Sequence, residues 1–244
     1  MNSFYRVLQE VGVVRFFKQF PWIRSRIYNS PRYKGPNNLI PKLQKYLLHE
    51  NGYFVELGAN DGIAQSNTNF LERNFAWNGI LIEPTPTLFK SLVKNRSARN
   101  SFFNVACCSF NYKSPVMELI YGDLMTVSNI PGLDVDIQSH EKKARKYLSY
   151  GDSVYKFTAL AKPLNEILLF SKSPQLIDFL SLDVEGAEYE VLSGIDFKNF
   201  NFRYILIESR NIERIVVMLV ANGYTLRDQF SSQDYLFEYN KTPN

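Results

Sequence analysis

The stretch Tyr53–Gly62, with the sequence YFVELGANDG, constrains the fold of this chain more than any other segment. The apolar residues of its first half, Tyr53–Leu57, form the short hydrophobic run of a parallel strand that is covered on both faces. Gly58 and Gly62 then bracket a loop, because glycine lets a backbone turn tightly and approach a ligand. A buried strand followed by such a loop and a helix is typical of a nucleotide-type cofactor site in an α/β fold.

Acidic residues end two further apolar strands. Glu83 ends a strand 21 residues after the loop, where a carboxylate can accept both ribose hydroxyls of an adenosine. Asp183 ends another strand and is followed by Glu185 and Glu188. Because ligands bind at the carboxyl ends of parallel strands, we expect Glu56, Glu83 and Asp183 to lie together.

The loop chemistry separates two classes of cofactor. A dinucleotide site binds pyrophosphate through the pattern G-x-G-x-x-G, and this loop lacks the middle glycine. Glu56 and Asp61 would repel a diphosphate but suit the cationic sulfonium and ammonium of S-adenosylmethionine. The charge therefore favours S-adenosylmethionine. The structural alternative is a glycine turn that binds nothing, with both acids capping a helix or facing solvent.

Several short motifs, in the same order over about residues 50 to 240, carry a family resemblance. The chain resembles the FkbM family of S-adenosylmethionine-dependent methyltransferases. Together these motifs are far more specific than any one of them. They are GYFVELGANDG at 52–62, SNT at 66–68 with LE at 71–72, WNGILIEP at 77–84, NR at 95–96, NVA at 104–106, LDVEGAE at 182–188 and IE at 207–208.

The resemblance implies a Rossmann-like class I methyltransferase fold, with a seven-stranded, mostly parallel sheet and helices on both faces. It also implies O-methylation, typically of sugar or polyketide hydroxyls. The glycine loop would hold the methionine part of the cofactor, Glu83 the ribose, and the segment Asn104–Ala106 the adenine edge. The predicted cofactor-binding residues are Glu56, Gly58, Asn60, Asp61, Gly62, Ser66, Glu83, Asn104 and Ala106.

Methyl transfer to a hydroxyl requires an aligned acceptor and the removal of its proton. The predicted catalytic residues are Asp183, Glu185 and His140. Clustered carboxylates can raise one another's pKa or share a divalent cation, so the sequence leaves the need for a metal open. His140 is a candidate because histidine is the commonest base near neutral pH, and its alternative is a solvated residue in a charged run. His49 precedes the first strand and is predicted to be structural.

Strands and helices alternate along most of the chain, which predicts a parallel sheet. Residues 1–36 are predicted to form a basic amphipathic helical arm and linker, and residues 37–244 the methyltransferase domain. The pattern becomes irregular at about 122–160. Because a long irregular segment inside a compact domain is usually functional, this range predicts a lid-like insertion over the acceptor.

The basic residues concentrate at the beginning of the chain. Residues 1–50 hold nine lysines and arginines against two glutamates, a net charge of +7, whereas the whole chain carries +4. With its interleaved aromatic residues, this segment can lie on an anionic membrane surface or pack on the catalytic domain or a second subunit. Nucleic acid is not indicated, because the basic residues form no known reader motif. The expected acceptor contains carbohydrate.

The two cysteines, Cys107 and Cys108, are adjacent and so are poorly placed for a disulfide, which favours a reducing cytoplasm. No signal-peptide pattern or transmembrane segment is visible, so we expect a cytoplasmic protein with possible peripheral membrane contact. Two other functions compete with methyl transfer. One is a nicotinamide-dependent oxidoreductase, which the missing glycine disfavours. The other is a cofactor-binding scaffold without catalysis, docked through the basic arm.

Overall fold

The computed structural model describes residues 38–122, 125–128, 148 and 153–240. The predicted helical arm at 1–36 and most of the predicted insertion at 122–160, with His140, lie outside the described residues. In the described part, no helix combines the length and apolar composition that a membrane crossing requires.

The described residues form eleven strands and six helices, which alternate along much of the chain. The strands are β1 Tyr53–Leu57, β2 Asn78–Ile82, β3 Ser101–Phe103, β4 Val105–Cys108, β5 Val116–Tyr121, β6 Val127–Ser128, β7 Tyr155–Pro163, β8 Leu176–Leu182, β9 Asn201–Glu208, β10 Tyr224–Gln229 and β11 Asp234–Tyr239. The helices are α1 Leu39–Leu43, α2 Asn69–Phe75, α3 Pro86–Asn95, α4 Leu164–Phe170, α5 Glu188–Leu192 and α6 Glu213–Ala221.

The larger sheet has seven strands in the order β3-β2-β1-β8-β9-β11-β10. The five strands from β3 to β9 pair in parallel, and β11 runs antiparallel to both of its neighbours. Strand β1 lies between β2 and β8, so the carboxyl ends of all three meet at one edge. The prediction of a mixed α/β fold with a large sheet and helices is confirmed.

Helices cover both faces of this sheet, because successive side chains of a strand point to opposite faces. Phe54 and Leu81 pack with residues of the first three helices, among them Leu43, Leu71 and Leu92. The other face packs against the last three helices. Its buried residues include Val55, Ile80, Leu168, Leu192 and Leu219. Each fully buried aliphatic side chain of this kind stabilises the fold by about 1.5–3 kcal/mol.

A second sheet, which the sequence did not predict, has the order β4-β7-β5-β6. Its strand β7 begins at Tyr155, inside the range where an irregular insertion was expected. The strand was missed because its small residues are buried and its large apolar residue is exposed, the reverse of the usual pattern of a strand. Ala159 and Ala161 are buried, whereas the larger Leu160 between them is 57% exposed. The larger sheet has the predicted seven strands, five of them parallel, and the correction is that the described residues also form this separate four-stranded sheet.

Candidate functional site

A cleft lies where the carboxyl ends of β1, β2 and β8 face the second sheet. Its volume is about 770 Å³, including the space open to solvent. This is the edge at which parallel α/β sheets bind their ligands. Six of the predicted site residues line the cleft, namely Gly58, Asn60, Glu83, Ala106, Asp183 and Glu185.

The first loop residue, Gly58, touches the loop that follows β8. A Cβ atom at Gly58 would lie 2.0 Å from the carbonyl oxygen of Asp183, and its φ is +74°. Both facts require glycine, because a side chain would collide with backbone and L residues rarely adopt this φ. The close approach brings the glycine loop and Asp183 together on the floor of the cleft.

Two backbone N–H groups fix the carboxylate of Glu83. Asn60 donates its N–H to Oε2 at 2.9 Å, and Thr85 donates its N–H to Oε1 at 2.8 Å. The Asn104 side chain donates to the carbonyl oxygens of Glu83 and Pro84, at 2.8 and 2.9 Å. Asn104 thus supports the end of β2 without lining the cleft. A carboxylate oxygen accepts more than one hydrogen bond, so this geometry suits Glu83 to orient ribose hydroxyls.

The beginning of β4 forms an apolar wall of the cleft. Val105, Ala106 and Cys107 line it, opposite the loop residues that follow β1. Burial raises the pKa of the Cys107 thiol far above its ordinary value, so this residue stays protonated. A protonated, buried thiol behaves as a small apolar group. The wall therefore suits the flat ring of an adenine.

Glu56 does not line the cleft. It is 3% exposed and accepts hydrogen bonds from the Ser66 hydroxyl at 2.9 Å, the Thr68 hydroxyl at 2.6 Å and the Asn67 N–H at 2.8 Å. These groups lie just before α2. The contacts of Glu56 are thus those of the structural alternative, a capping acid, and its direct contact with a cofactor stays a prediction, as does that of Ser66.

Arg96 is the centre of the same buried network. Its side chain is 0% exposed, and its Nε lies 2.9 Å from Oε2 of Glu72. Its Nη1 lies 3.3 Å from Oε2 of Glu56 and donates to the carbonyl oxygen of Gly62 at 3.3 Å. Burial alone would raise the pKa of Glu72, but the charge of Arg96 and hydrogen bonds to the carboxylate hold it below its ordinary value. Arg96 therefore neutralises two buried carboxylates beneath the glycine loop.

Asp61 shapes the loop from within. Its Oδ1 accepts the N–H groups of Ile63 and Ala64, at 3.0 and 2.8 Å. Gly62 follows with a φ of +79°, and a Cβ there would lie 2.7 Å from the side chains of Leu92 and Arg96. Asp61 and Gly62 lie outside the lining of the cleft. Their contact with a cofactor therefore also stays a prediction.

The end of the cleft at β8, away from Glu83, is acidic because Asp183 and Glu185 line it. Burial raises the pKa of Asp183 well above its ordinary value, and the nearby carboxylates of Glu208 and Glu185 add to the effect. Burial, with the charges of neighbouring acids, likewise raises the pKa of Glu208 to about 7. Glu185 has a φ of +55° and forms an ion pair with Nη2 of Arg210 at 2.9 Å. Asp183 is thus in an environment that favours the protonated form of its carboxyl group.

Glu188 supports the turn that contains Glu185. It is fully buried at the beginning of α5, and its Oε1 accepts the N–H groups of Gly186 at 2.9 Å and Val184 at 3.3 Å. Burial raises its pKa to about 7. Glu188 does not line the cleft, so its contacts are those of a capping acid in the first turn of a helix.

Two further sequence predictions concern the histidines and a divalent cation. His49 lies 3.4 Å from Asp178 and packs against Trp77, in line with its predicted structural role, whereas His140 lies outside the described residues.

Within residues 38–122, 125–128, 148 and 153–240, no group of three or more histidine, cysteine or acidic side chains is arranged to hold a metal ion. A divalent cation therefore has no support in this part of the chain.

Residues 56–233 match the sequence profile of the methyltransferase FkbM domain, which covers most of the chain. The chain belongs to the FkbM methyltransferase family. This match confirms the resemblance carried by the sequence motifs and identifies a methyltransferase domain. Among curated proteins, no match to the sequence is found.

A solved structure, the METTL16 MTase domain (crystal form 2), is similar to this FkbM chain with a TM-score of 0.41 and 12% sequence identity. The similarity covers 83% of this chain. The matched part makes up 66% of the METTL16 chain, so this chain spans just under two thirds of that chain's length.

Membership of the FkbM family implies S-adenosylmethionine as the cofactor, and the cleft fits it. The described lining includes three carboxylates, of Glu83, Asp183 and Glu185, and no lysine or arginine. Such a cleft suits a ligand with a cationic sulfonium and ammonium and disfavours a diphosphate. Glu83 would hold the ribose and the wall of β4 would hold the adenine.

Sequence reasoning on this FkbM domain missed Arg96, which supports the glycine loop from below, and the cleft residue Gln65. The motif of Arg96 supported the family resemblance, but no role was assigned to this residue. A partial signal was present, because Leu88 and Leu92 share one face of α3 and Arg96 follows the end of the helix at the same spacing of four residues. A charged residue that continues an apolar spacing indicates a buried partner of opposite charge, but the sequence does not say which acid it meets.

Proposed function

We propose that the chain is an S-adenosylmethionine-dependent O-methyltransferase that methylates a sugar hydroxyl of a glycan, glycolipid or glycosylated metabolite. The observation that carries this proposal is the shared position of Glu83 and Asp183, which line one cleft on either side of Gly58. An adenosine held at Glu83 can therefore direct its reactive end towards a carboxyl group suited to accept a proton.

In the proposed mechanism, bound S-adenosylmethionine supplies a methyl group on a cationic sulfur. Glu83 orients the ribose, and the apolar wall around Ala106 excludes water from one side of the cleft. Asp183 takes the proton of the acceptor hydroxyl, because burial and neighbouring carboxylates raise its pKa and so make its ionised form a stronger base. Glu185 lines the cleft near Asp183, where the acceptor would bind, and Arg210 holds its carboxylate in place through a hydrogen bond.

Neutral polar side chains support a carbohydrate acceptor. Ser128 of β6 and Thr126, just before that strand, line the cleft. Hydroxyl groups can both donate and accept hydrogen bonds, which suits the hydroxyls of a sugar. Family resemblance points to the same class of acceptor.

The cofactor part of this proposal is tested by calorimetric titration with S-adenosylhomocysteine. We expect micromolar binding to the parent protein, and a loss of at least about tenfold in Glu83→Gln, which removes the charge from a hydrogen-bonding carboxylate. Glu166→Gln is the matched control, since this exposed carboxylate pairs with Lys162. No binding to the parent protein would refute a cofactor site in this cleft.

The acceptor part is tested with a labelled methyl donor and a panel of glycans, glycolipids and glycosylated metabolites. Labelled product from a carbohydrate, lost in Asp183→Asn, is the expected result. If the parent protein binds S-adenosylhomocysteine but labels none of the panel, the sugar hypothesis fails and a scaffold without catalysis gains support.

We also propose a cytoplasmic location and a docking role for the basic arm. Cys107 and Cys108 are free thiols, which supports a reducing compartment. The arm at 1–36 would contact an anionic membrane surface or a second copy of the chain, and nucleic acid is not a proposed partner. Cosedimentation with anionic vesicles and the molar mass in solution, each compared with a chain lacking residues 1–36, distinguish these two contacts.

A further inference from the structure

Gln65 occupies an unusual backbone position at the cleft. Its φ is +58°, in the left-handed region that non-glycine residues adopt uncommonly. Its side chain lines the cleft and is half-buried. Conformations of this kind persist only where surrounding contacts enforce them, and they cluster at ligand sites.

Contacts on both sides enforce the conformation of Gln65. On one side, the N–H of Ala64 donates to Oδ1 of Asp61 at 2.8 Å. On the other side, the hydroxyl of Ser66 donates to the buried carboxylate of Glu56 at 2.9 Å. Because both neighbours are held by the loop and by β1, the backbone of Gln65 is held at the cleft.

The amide of Gln65 has no role within the described protein. No hydrogen bond joins its side chain to any other described residue, although the neighbouring polar side chains of the loop bond extensively to one another. An amide group that lines a cleft and has no partner among the described residues is suited to bind a ligand.

The charges around the cleft indicate which ligand group Gln65 meets. The amino-acid end of S-adenosylmethionine carries an ammonium and a carboxylate, and the acids Asp183 and Glu185 match only the ammonium. The described lining offers no lysine or arginine for the carboxylate. The lining contains two amide side chains, those of Asn60 and Gln65. The Oδ1 of Asn60 accepts the N–H of Asp61, so the Asn60 side chain is held by the loop, whereas the Gln65 amide bonds to no other described residue.

The order of the strands agrees with this assignment. Glu83 ends β2, the loop with Gln65 leaves β1, and Asp183 follows β8, and β1 lies between the other two strands. A cofactor whose ribose lies at Glu83 and whose methyl group points towards Asp183 must cross the loop that leaves β1. Its amino-acid end would then lie beside this loop, which carries Gln65.

We propose that Gln65 donates its side-chain amide N–H to the carboxylate of the cofactor's amino-acid end, and thereby selects ligands that possess this end. The inference rests on the proposed cofactor function. It assigns to Gln65 a specificity role that Glu83 cannot have, because Glu83 meets the ribose that all adenosine ligands share.

Two ligands separate this role from a general effect on the loop. S-adenosylhomocysteine has the amino-acid end, and methylthioadenosine has the same adenosine and thioether without it. In Gln65→Gly, whose backbone accepts a positive φ, we expect the affinity for S-adenosylhomocysteine to fall about tenfold, as one hydrogen bond to a charged group is lost. Methylthioadenosine should bind with unchanged affinity.

Gln65→Glu sharpens the experiment, because it preserves shape and replaces the donor by a second carboxylate. We expect a larger loss of S-adenosylhomocysteine affinity than in Gln65→Gly, again with methylthioadenosine unaffected. Lys172→Gly is the matched control, since Lys172 has a φ of +51° and lies outside the lining of the cleft. Both ligands should bind this control as they bind the parent protein.

Equal losses for the two ligands would overturn the inference, because Gln65 would then act only through the loop. Unchanged binding of S-adenosylhomocysteine in both Gln65 variants would also overturn it, and a higher acceptor KM in those variants would assign the amide to the acceptor. If the parent protein binds neither ligand, the proposed function itself fails. The two failures are thus distinguishable in one set of titrations.

Discussion

Replacing Arg96 by methionine tests whether the buried network beneath the glycine loop holds the fold together. The substitution keeps much of the side-chain volume and removes the guanidinium. It leaves the carboxylates of Glu56 and Glu72 buried without the cation that lies 3.3 and 2.9 Å away in the parent protein. Hydrogen bonds from Ser66, Asn67 and Thr68 to Glu56 are retained, but they do not neutralise the charge.

The expected cost follows from this geometry. Removing one partner of a buried ion pair typically costs about 3–5 kcal/mol, because an uncompensated charge remains in the interior. The retained hydrogen bonds place Arg96→Met near the lower end of that range. In a domain of this size each kcal/mol lowers Tm by roughly 2–4 °C, so a fall of about 6–12 °C is expected. Such a cost is a large part of a total stability of about 5–15 kcal/mol.

Urea unfolding followed by circular dichroism measures this cost, with Arg203→Met as the matched control. Arg203 also pairs with an acid, since its Nε lies 3.5 Å from Asp178, but its side chain is 53% exposed. An exposed pair contributes only about 0–1 kcal/mol, so the control should unfold nearly as the parent protein does. If Arg96→Met loses no more stability than Arg203→Met, the reasoning about buried charge is wrong.

Further predictions concern Glu208, Gly58 and the two candidate bases, Asp183 and His140. The folded-state pKa of Glu208 is raised from 4.5 to about 7, so the parent protein loses stability as the pH rises through this window. Glu208→Gln cannot ionise, and its Tm should exceed that of the parent protein at pH 8 and equal it at pH 4; equal values at both would contradict the pKa assignment. Gly58→Ala should lower stability and abolish S-adenosylhomocysteine binding, because its Cβ would meet the carbonyl oxygen of Asp183. Gly223→Ala, where φ is +91°, should lower stability alone, and similar binding in both variants would refute the close contact. Finally, if Asp183 is the base, Asp183→Asn should lose turnover at least about 100-fold while cofactor binding persists, the typical range for a general base. His140→Ala distinguishes the remaining candidate, since normal turnover there removes His140 from the mechanism.

The sequence predicted the carboxyl-terminal edge of the sheet well. Gly58, Glu83 and Asp183 each follow a short apolar run, and parallel pairing of such strands brings their ends together whatever the details of packing. All three line the cleft. The family resemblance, which rested on motifs around the same positions, is confirmed by the match over residues 56–233.

The direction of Glu56 could not be obtained in this way. Alternation along β1 shows that Glu56 points to the same side as Phe54 and opposite to Val55, but it does not say which side meets the ligand. In the structure, that side packs with the first three helices, so Glu56 meets Ser66, Thr68 and Arg96 beneath the loop. The charge of Glu56 correctly indicated a polar network, but it did not show whether Glu56 lines the cleft.

The sequence by itself thus determined the α/β class, the family and the strand ends that form the site, because hydrophobic runs, glycines and spaced acids are local features. The tertiary structure alone decided which acids line the cleft, which ones Arg96 neutralises, and that Gln65 is held at a positive φ beside them. It also decided the pairing of β7, whose inverted pattern of Leu160 between buried alanines hides the strand. These properties depend on contacts between residues far apart in the chain, and the energy of such contacts leaves no periodic mark on the sequence.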